Sequence, residues 1–299
     1  MDQMLVFINA YLVPGVVSGS IYALGAIGLT LLFGVLRFTH FAHGDVMTAG
    51  AYFALTAIGL LGLSPVMALP IAMVCTSVLC LGISHLFYRP LMKRPPLVLT
   101  ISSFGIALMI RASVQLLYGV ESRYYVRGIQ RSTEFLGMFR IVDRHIWIVC
   151  CAISLMFALH LLLTYTRLGK AMRAVSDSPD LARLTGISTS AIVNATWIIG
   201  GSLAAVAGVF VGWDGFVQAN MGWDLLLPMS AAAILGGLGR PYGAMVGGLM
   251  IGLAEELSSY PWFGGDAFLS PGYKTGVAFA IMVAMLIWRP GGLFGGRVQ

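Results

Sequence analysis

Polar side chains interrupt an apolar region near the start of the chain. His40, His43 and Asp45 lie between two apolar runs, 29–34 and 46–61. A charged side chain at membrane depth costs roughly 2.5–3.5 kcal/mol on insertion scales, and such residues tend to line solute or ion pathways. A polar break between two half-helices is typical of a transport path. These residues therefore predict a membrane transport subunit rather than a soluble enzyme.

Two roles are open for this polar break. If Gly44 breaks the helix, Phe41, His43 and Asp45 can approach one central cavity, where they form the path or lock the broken helix. The alternative role is structural: His43 bonds backbone carbonyls that the break leaves free, and Asp45 caps the helix that follows. The residues themselves favour neither role over the other.

The composition of the 299-residue chain does not suit a water-soluble fold. Hydrophobic residues make up 58% and charged residues 10%, and the mean hydropathy is +0.88, whereas soluble domains carry about 25% charged residues. The apolar runs are continuous, which favours membrane helices over a β-barrel. The net charge of +6 comes from basic residues between apolar runs, which suits the positive-inside rule and does not indicate nucleic-acid binding.

Helices that cross a bilayer need about 20 apolar residues, and the sequence contains eight candidate runs. They cover 5–33, 44–63, 66–88, 97–119, 146–165, 191–212, 242–259 and 273–288. A further run, 225–238, is too short for a full span at about 1.5 Å per residue, so it predicts a broken span or a re-entrant half-helix. We expect an all-α polytopic membrane protein with about 8–9 transmembrane segments and one transmembrane domain over 1–299.

The positions of the basic residues predict the orientation of these helices. With the N-terminus outside and 225–238 counted as a crossing, Arg37, Arg89 and the basic residues of loop 166–190 lie on the cytoplasmic side. Loop 120–145 is then external, although it contains five arginines. Long external loops tolerate such charge, so the orientation stands as an expectation.

Glycine-rich breaks recur in the two halves of the chain. The segment 32–44 resembles 234–243, in which Gly236, Gly237 and Gly239 separate two apolar stretches. Paired broken segments in two halves of a membrane protein indicate a binding or translocation site between them, so these glycines are candidates for that path. The alternative is that the glycines only allow membrane helices to pack closely.

Loop 166–190 contains the signals of a short helix. Ser178 can cap this helix, Pro179 suits its first position, and Gly186 suits a left-handed stop. A helix of about two turns is marginal alone in water and needs a partner surface. The candidates for that contact are Arg173, Asp177, Asp180, Leu181, Leu184 and Gly186. An ordinary solvated loop is the alternative.

Three further charges, Arg111, Glu255 and Glu256, lie within apolar runs. Because ions inside a membrane usually pair, these charges can form a salt link with one another. The alternative is that Arg111 extends its guanidinium toward the nearer membrane face.

Several polar and aromatic residues have simpler expected roles. Ser102 and Ser103 are expected to serve helix packing more than solute binding. Trp213, Trp223 and Trp288 are expected to anchor helix ends at the membrane interface.

The sequence lacks the motifs that catalysis by this chain would need. It contains no GxxxxGK[ST] phosphate loop, no GxSxG elbow and no HExxH motif. The four cysteines lie in apolar runs and lack metal-site spacing. We therefore expect no enzymatic activity, no metal site and no cofactor in this chain.

Four segments together resemble the membrane permease subunits of ABC importers of the branched-chain amino-acid type. They are 28–45, 169–186, 235–255 and the tail 289–295, which occur in the family's order and span nearly the whole chain. Two features depart from the family pattern: Glu256 stands where a small residue is expected, and Arg111 where relatives are more often neutral. These departures weaken any transfer of substrate identity.

The resemblance implies partners as well as a fold. It implies an all-helical permease of the bacterial inner (plasma) membrane, surrounded by membrane lipid and paired with a second permease. It also implies two cytoplasmic ATPase subunits that use ATP and Mg, a periplasmic solute-binding protein for which loop 120–145 is a candidate docking surface, and a coupling role for 169–186 against an ATPase. A urea or short-chain amide permease, an ion-driven secondary transporter and a non-transporting scaffold are the alternatives.

Overall fold

The computed structural model describes residues 3–126, 132–135, 139–262 and 269–294. Helices account for nearly all of these residues. In chain order they are α1 Gln3–Phe7, a π-helical turn Ile8–Leu12, α2 Val13–Leu36, α3 His43–Leu61, α4 Pro65–Ile83, a second π-helical turn Ser84–Tyr88, α5 Arg89–Leu91, α6 Pro96–Tyr118, α7 Asp143–Tyr165, α8 Arg167–Asp177, α9 Pro179–Leu184, α10 Thr189–Asp214, α11 Met221–Gly236, α12 Pro241–Leu257, a 3₁₀ turn Pro271–Tyr273 and α13 Lys274–Trp288. Strands β1 Ser132–Phe135 and β2 Phe139–Val142 form a small antiparallel hairpin between α6 and α7.

The helices match the apolar runs of the sequence. Six helical segments in the described residues are long and apolar enough to cross a membrane, and the shorter helices α11, α12 and α13 occupy the remaining runs. The prediction of an all-α polytopic membrane protein is therefore confirmed. The run predicted at 225–238 begins earlier, at Met221, and is a helix of 16 residues.

Helices α2 and α12 pack antiparallel at the centre of the bundle. Small residues make this possible, since a Cβ added to Gly19 would lie 2.9 Å from the Cα of Leu249, and one added to Gly248 would lie 2.4 Å from the Cα of Ala23. Lipid supplies no hydrophobic drive for helix association, so close van der Waals contact between backbones stabilises such a pair. This pair fixes α2 as the helix around which the other segments are placed.

Helix α10 lies on the other side of α2 and packs against α3 and α4 as well. A Cβ on Gly208 would lie 2.1 Å from the carbonyl oxygen of Met47, so α3 and α10 are in backbone contact. Helices α6 and α7 lie at the periphery, and large apolar side chains such as Leu116 and Phe157 are exposed on them. These exposed faces are suited to lipid or to another membrane chain.

The two ends of the bundle are distinguished by their polar contacts. At the α8 end, Arg37 donates to the carbonyl of Ser176, and Arg89 donates to Asn194 at 2.9 Å. At the opposite end, which we call the hairpin end, Asp214 accepts from His145 at 2.9 Å and from Arg144 at 3.2 Å. The positions agree with the sequence prediction, which placed the basic loops on one side and loop 120–145 with the α10–α11 linker on the other.

Candidate translocation site

The first break separates α2 from α3. Arg37 follows α2 in the left-handed conformation with φ 59°, and α3 begins at His43, whose Nε2 lies 3.0 Å from the carbonyl oxygen of Gly25. Gly25 is near the middle of α2, so the segment 37–42 runs back along α2 and α3 starts about 12–16 Å above the end of α2. The predicted broken helix is present, and its second part begins deep in the bundle.

One of the two predicted roles required Gly44 to break the helix. Gly44 does not do so, because it lies inside the first turn of α3. Its role is contact, because a Cβ at this position would lie 2.2 Å from the carbonyl oxygen of Gly222. The N–H of Gly222 also donates to Thr48 Oγ1 at 3.0 Å. The beginning of α11 therefore rests on the beginning of α3.

This contact explains the short helix α11. Its 16 residues cover about 24 Å, less than the roughly 30 Å of a bilayer core. The linker 215–220, which contains the buried residues Val217 and Ala219, leads from the hairpin end down to Gly222. Two half-helices thus meet with their N-termini together, and such ends carry partial positive charge that can face anionic groups of a substrate.

Asp45 pairs with Arg111 beside this meeting point. Arg111 Nε and Nη2 donate to the two carboxylate oxygens at 2.9 Å and 3.0 Å, which is a bidentate ion pair. Only 1% of the Asp45 side chain is exposed, against 17% for Arg111. Three expectations were wrong here. Asp45 bonds Arg111 and makes no capping bond to α3, and Arg111 neither extends to the nearer membrane face nor links to the acids of α12. The reason is that α6 packs against α3, which puts a buried carboxylate within reach of the guanidinium.

Trp223 completes the surroundings of Arg111. Its ring centroid lies 5.1 Å from the guanidinium carbon, within the range of a cation–π contact. The ring also meets Phe104 edge-on, with centroids 5.7 Å apart. Trp223 was expected to be an interfacial anchor, and the structure instead shows its ring against an ion pair that neither its type nor its position revealed.

His43 and Asp45 do not approach one cavity. His43 faces α2 through its contact with the carbonyl of Gly25, while Asp45 faces α6. The structural alternative predicted a backbone carbonyl as the partner of His43, but one that the break leaves free. The carbonyl that His43 meets belongs to the interior of α2 rather than to the break. The arrangement follows from the helix period, since residues two apart point in different directions.

Buried polar and aromatic side chains hold the segment 37–42 in place. Ser103 Oγ accepts from the backbone N–H of Phe41 at 3.1 Å. His40 Nδ1 lies 3.0 Å from the hydroxyl of Tyr88, whose ring stacks on Trp197 with centroids 5.1 Å apart. Ser103 thus packs a helix against the break, as expected, and leaves the half-buried Phe41 at the mouth of the first break.

The second break lies between α11 and α12. Gly237 and Gly239 adopt positive φ angles of 104° and 82° there. Gly236 and Gly243 touch through their backbones, since a Cβ on Gly236 would lie 2.1 Å from the carbonyl carbon of Gly243. Gly34 of α2 is the neighbour of Gly239, since a Cβ added to Gly34 would lie 3.5 Å from the Cα of Gly239. The two breaks therefore lie side by side at the α8 end.

The C-terminal segment packs onto this second break, which the sequence did not indicate. The N–H of Leu293 donates to the carbonyl of Leu235 at 2.8 Å. Arg240 donates to the carbonyl of Phe294. Gly292, with φ 78°, lies against Gly237 so closely that no side chain fits. Gly292 of the tail motif is needed for this contact.

Helix α8 is bonded to the first break and faces the second across a cavity. Ser176 Oγ donates to the carbonyl of Gly34 at 2.9 Å, and its own carbonyl accepts from Arg37. A cavity of about 480 Å³ lies between α8 and the second break, lined by Arg173, Asp177 and Tyr242 among others. A displacement of α8 would therefore act directly on the first break, and the cavity leaves room for α8 to move relative to the second.

Helix α9 has the predicted ends. Ser178 Oγ accepts from the N–H of Leu181 at 3.5 Å, and Gly186 has φ 82°, so the predicted cap and left-handed stop are confirmed. Asp180 pairs with Arg183 of the next turn at 3.6 Å in an exposed position. Leu181 and Leu184, 64% and 84% exposed, point away from the bundle and form an apolar face without cover in the described residues.

The acids of α12 have partners of their own. Tyr22 donates to Glu255 Oε2 at 2.7 Å within the α2–α12 interface. Lys274 of α13 pairs with Glu256 at 2.6 Å. Among the described residues Asp45 and Glu256 are thus ion-paired, whereas Glu255 is held by the neutral Tyr22 hydroxyl and its Oε1 has no hydrogen-bond partner.

A bundle of membrane-length helices with two paired breaks, one of them bonded to the peripheral helix α8, is the architecture of a polytopic membrane transport subunit. The family model described as "Branched-chain amino acid transport system / permease component" matches residues 11–286. The chain belongs to this family; it is a multi-pass inner-membrane transport protein and not itself an enzyme.

Named relatives agree with this family over nearly their whole length. The chain is 33% identical over 309 aligned positions to the high-affinity branched-chain amino acid transport system permease protein LivH of Salmonella typhimurium, covering 98% of this chain and 97% of that protein. It is also 33% identical to the corresponding permease protein BraD of Pseudomonas aeruginosa, covering 95% and 94%.

Two solved structures have the same fold at low sequence identity. PsaBC from Streptococcus pneumoniae in complex with Fab gives a TM-score of 0.52 at 11% identity, covering 94% of this chain and 92% of that chain. An inward-facing ABC transporter described as of the metal-chelate type gives 0.53 at 15% identity, covering 96% and 90%. At such identities the likeness concerns the fold alone.

Proposed function

We propose that this chain is the permease subunit of an ATP-driven ABC importer for branched-chain amino acids. Two observations together carry the proposal. The family model matches residues 11–286, and helix α8 is bonded to the first break and shares a cavity with the second. The relatives LivH and BraD are named as permeases for this substrate class.

The mechanism is alternating access. An ATPase that binds the exposed face of Leu181 and Leu184 moves α9 and with it α8. The bonds from Ser176 and Arg37 pass this movement to the end of α2. Because Gly34 lies next to Gly239, the second break moves together with the first. The region around the half-helices that meet at Gly44 then opens alternately to one side of the membrane and to the other.

The partners follow from the surfaces that the chain leaves uncovered. A second permease completes the path on the side where Arg111 and Trp223 are accessible, and two cytoplasmic ATPase subunits bind at α9 and use ATP and Mg. A periplasmic solute-binding protein docks at the hairpin end, where loop 120–145 meets the α10–α11 linker through the backbone bridge of Arg123 and Val217. Membrane lipid covers the remaining apolar faces.

The pattern of ion pairs speaks against the competing functions. Urea is uncharged and needs no ion pair, whereas a zwitterion needs compensation for two charges, which Asp45 and Arg111 can supply. A proton relay needs a continuous chain of titratable groups, whereas Asp45 bonds Arg111 and Glu255 bonds Tyr22, with no hydrogen bond between these two groups in the described residues.

Uptake by the complete importer tests the proposal. The chain is reconstituted into vesicles with its partner permease, ATPases and binding protein, and uptake of labelled leucine and labelled urea is measured. We expect leucine uptake that requires ATP on the α8 side and persists when an ionophore removes the membrane potential. Uptake driven by the potential without ATP, or transport of urea and not leucine, would contradict the proposal.

A further inference from the structure

The pair of Asp45 and Arg111 is not accounted for by stability. Two ions taken out of water lose hydration that their mutual attraction repays only in part, and an apolar pair of similar volume is often as stable or more stable. In a membrane, such ionisable residues are rare and usually belong to the path of a solute.

The pair is open on one side only. Asp45 is enclosed, with 1% of its side chain exposed, while Arg111 keeps 17%. Arg111 uses Nε and Nη2 for Asp45, and its Nη1 makes no hydrogen bond in the part of the chain that the structure describes. A planar guanidinium with free N–H donors is well matched to a second carboxylate.

Aromatic rings border the open side. Trp223 lies over the guanidinium, and Phe104 meets Trp223 edge-on. These rings are 41% and 43% exposed, so they present apolar surface next to the charged pair. The half-helix ends that meet at Gly44 and Gly222 lie beside the same position, which adds positive potential for an anionic group.

We propose that Asp45 and Arg111 form an exchange site for the head group of an α-amino acid. The substrate carboxylate binds Arg111, the substrate ammonium binds Asp45, and the apolar side chain of the substrate lies against Trp223 and Phe104. Since the two residues exchange one partner for another, no charge is left unpaired inside the membrane while the solute passes. The inference rests on the proposed function and narrows the substrate to a zwitterion.

Two variants and a control test this site in the reconstituted importer. Arg111→Lys keeps the charge and removes the bidentate fork. The double variant Asp45→Asn with Arg111→Gln removes both charges and leaves a polar amide at each position. The control, Glu256→Gln with Lys274→Met, removes the ion pair between α12 and α13. Assembly with the partners, ATP hydrolysis stimulated by the binding protein, and leucine transported per ATP are measured.

We expect Arg111→Lys to assemble and to hydrolyse ATP like the wild type, while leucine transported per ATP falls about tenfold or more. The neutral pair shows the same loss, and the control pair keeps the wild-type ratio. A merely structural pair would change assembly and hydrolysis together with transport, so the ratio separates the two roles.

Three results would overturn the exchange site. The first is a value of leucine transported per ATP within about twofold of wild type in the neutral pair. The second is a loss of leucine transported per ATP in the control pair that equals the loss in the neutral pair. The third is failure of both Arg111 variants to assemble with the partners while the control assembles. A wild-type importer that moves no amino acid would refute the proposed function itself, and the exchange site with it.

Discussion

At the residue scale, the sequence revealed the charges but not their partners. Asp45 and Arg111 could be recognised as costly inside a membrane, and the sequence placed both in apolar surroundings. The two residues lie 66 positions apart, and their pairing depends on the packing of α3 against α6. No local pattern specifies which helices become neighbours. The acids of α12 were therefore an equally reasonable prediction for the partner of Arg111, and this prediction was wrong.

Glycine shows the same limit. A glycine between a polar stretch and an apolar run suggests a break, because glycine weakens helices. Gly44 instead allows two half-helices to touch, and only the position of Gly222 on another helix reveals this role. Gly186, whose function is set by its own backbone angle, was identified correctly from its neighbours.

Substitution of Gly44 by alanine tests the helix contact. The added Cβ would lie 2.2 Å from the Gly222 carbonyl, so either α11 must move or the contact is lost, at a cost of about 1–3 kcal/mol. We expect a clearly lower melting temperature of the purified importer and reduced leucine uptake. Gly59→Ala, on the same helix with nothing within 4 Å, is the matched control. Equal melting temperatures for the two variants would show that the half-helices do not depend on this contact.

At the element scale, hydropathy was sufficient for the long helices. A span needs about 20 apolar residues, and this requirement alone sets where α2, α4, α6, α7 and α10 can lie. The half-helices were harder, because their starting points are decided by tertiary contacts. Helix α11 begins at Met221 since the next residue binds Thr48, and this bond has no signature in the sequence of α11.

The end of α9 offers a second test. A β-branched residue is strained at the φ of 82° that Gly186 adopts. In Gly186→Val this backbone conformation costs about 1–2 kcal/mol, and we expect the connection to α10 to relax and displace α9. We expect the importer to assemble and to hydrolyse ATP, while leucine transported per ATP falls several-fold. Gly186→Asn, which tolerates the left-handed conformation, should retain most of the coupling. Full coupling in the valine variant would remove α9 from the mechanism.

At the scale of the whole molecule, the architecture places one small element near both breaks. Helix α8 is bonded to the end of α2 and faces the second break across a cavity, and the C-terminal segment packs against that second break. The paired breaks could be predicted from the repeated glycine pattern. Their side-by-side position could not, because it results from the antiparallel packing of α2 and α12.

The most direct measurement of this account is photo-crosslinking from α9 in intact cells that produce the whole importer. A photoreactive residue replaces Leu184, which is 84% exposed at the α8 end, and in a control chain it replaces Leu60, which is 80% exposed at the end of α3. The account predicts that the Leu184 position crosslinks to an ATPase subunit and that the Leu60 position does not. Crosslinking of the Leu184 position to a periplasmic protein, or to no ATPase, would contradict it.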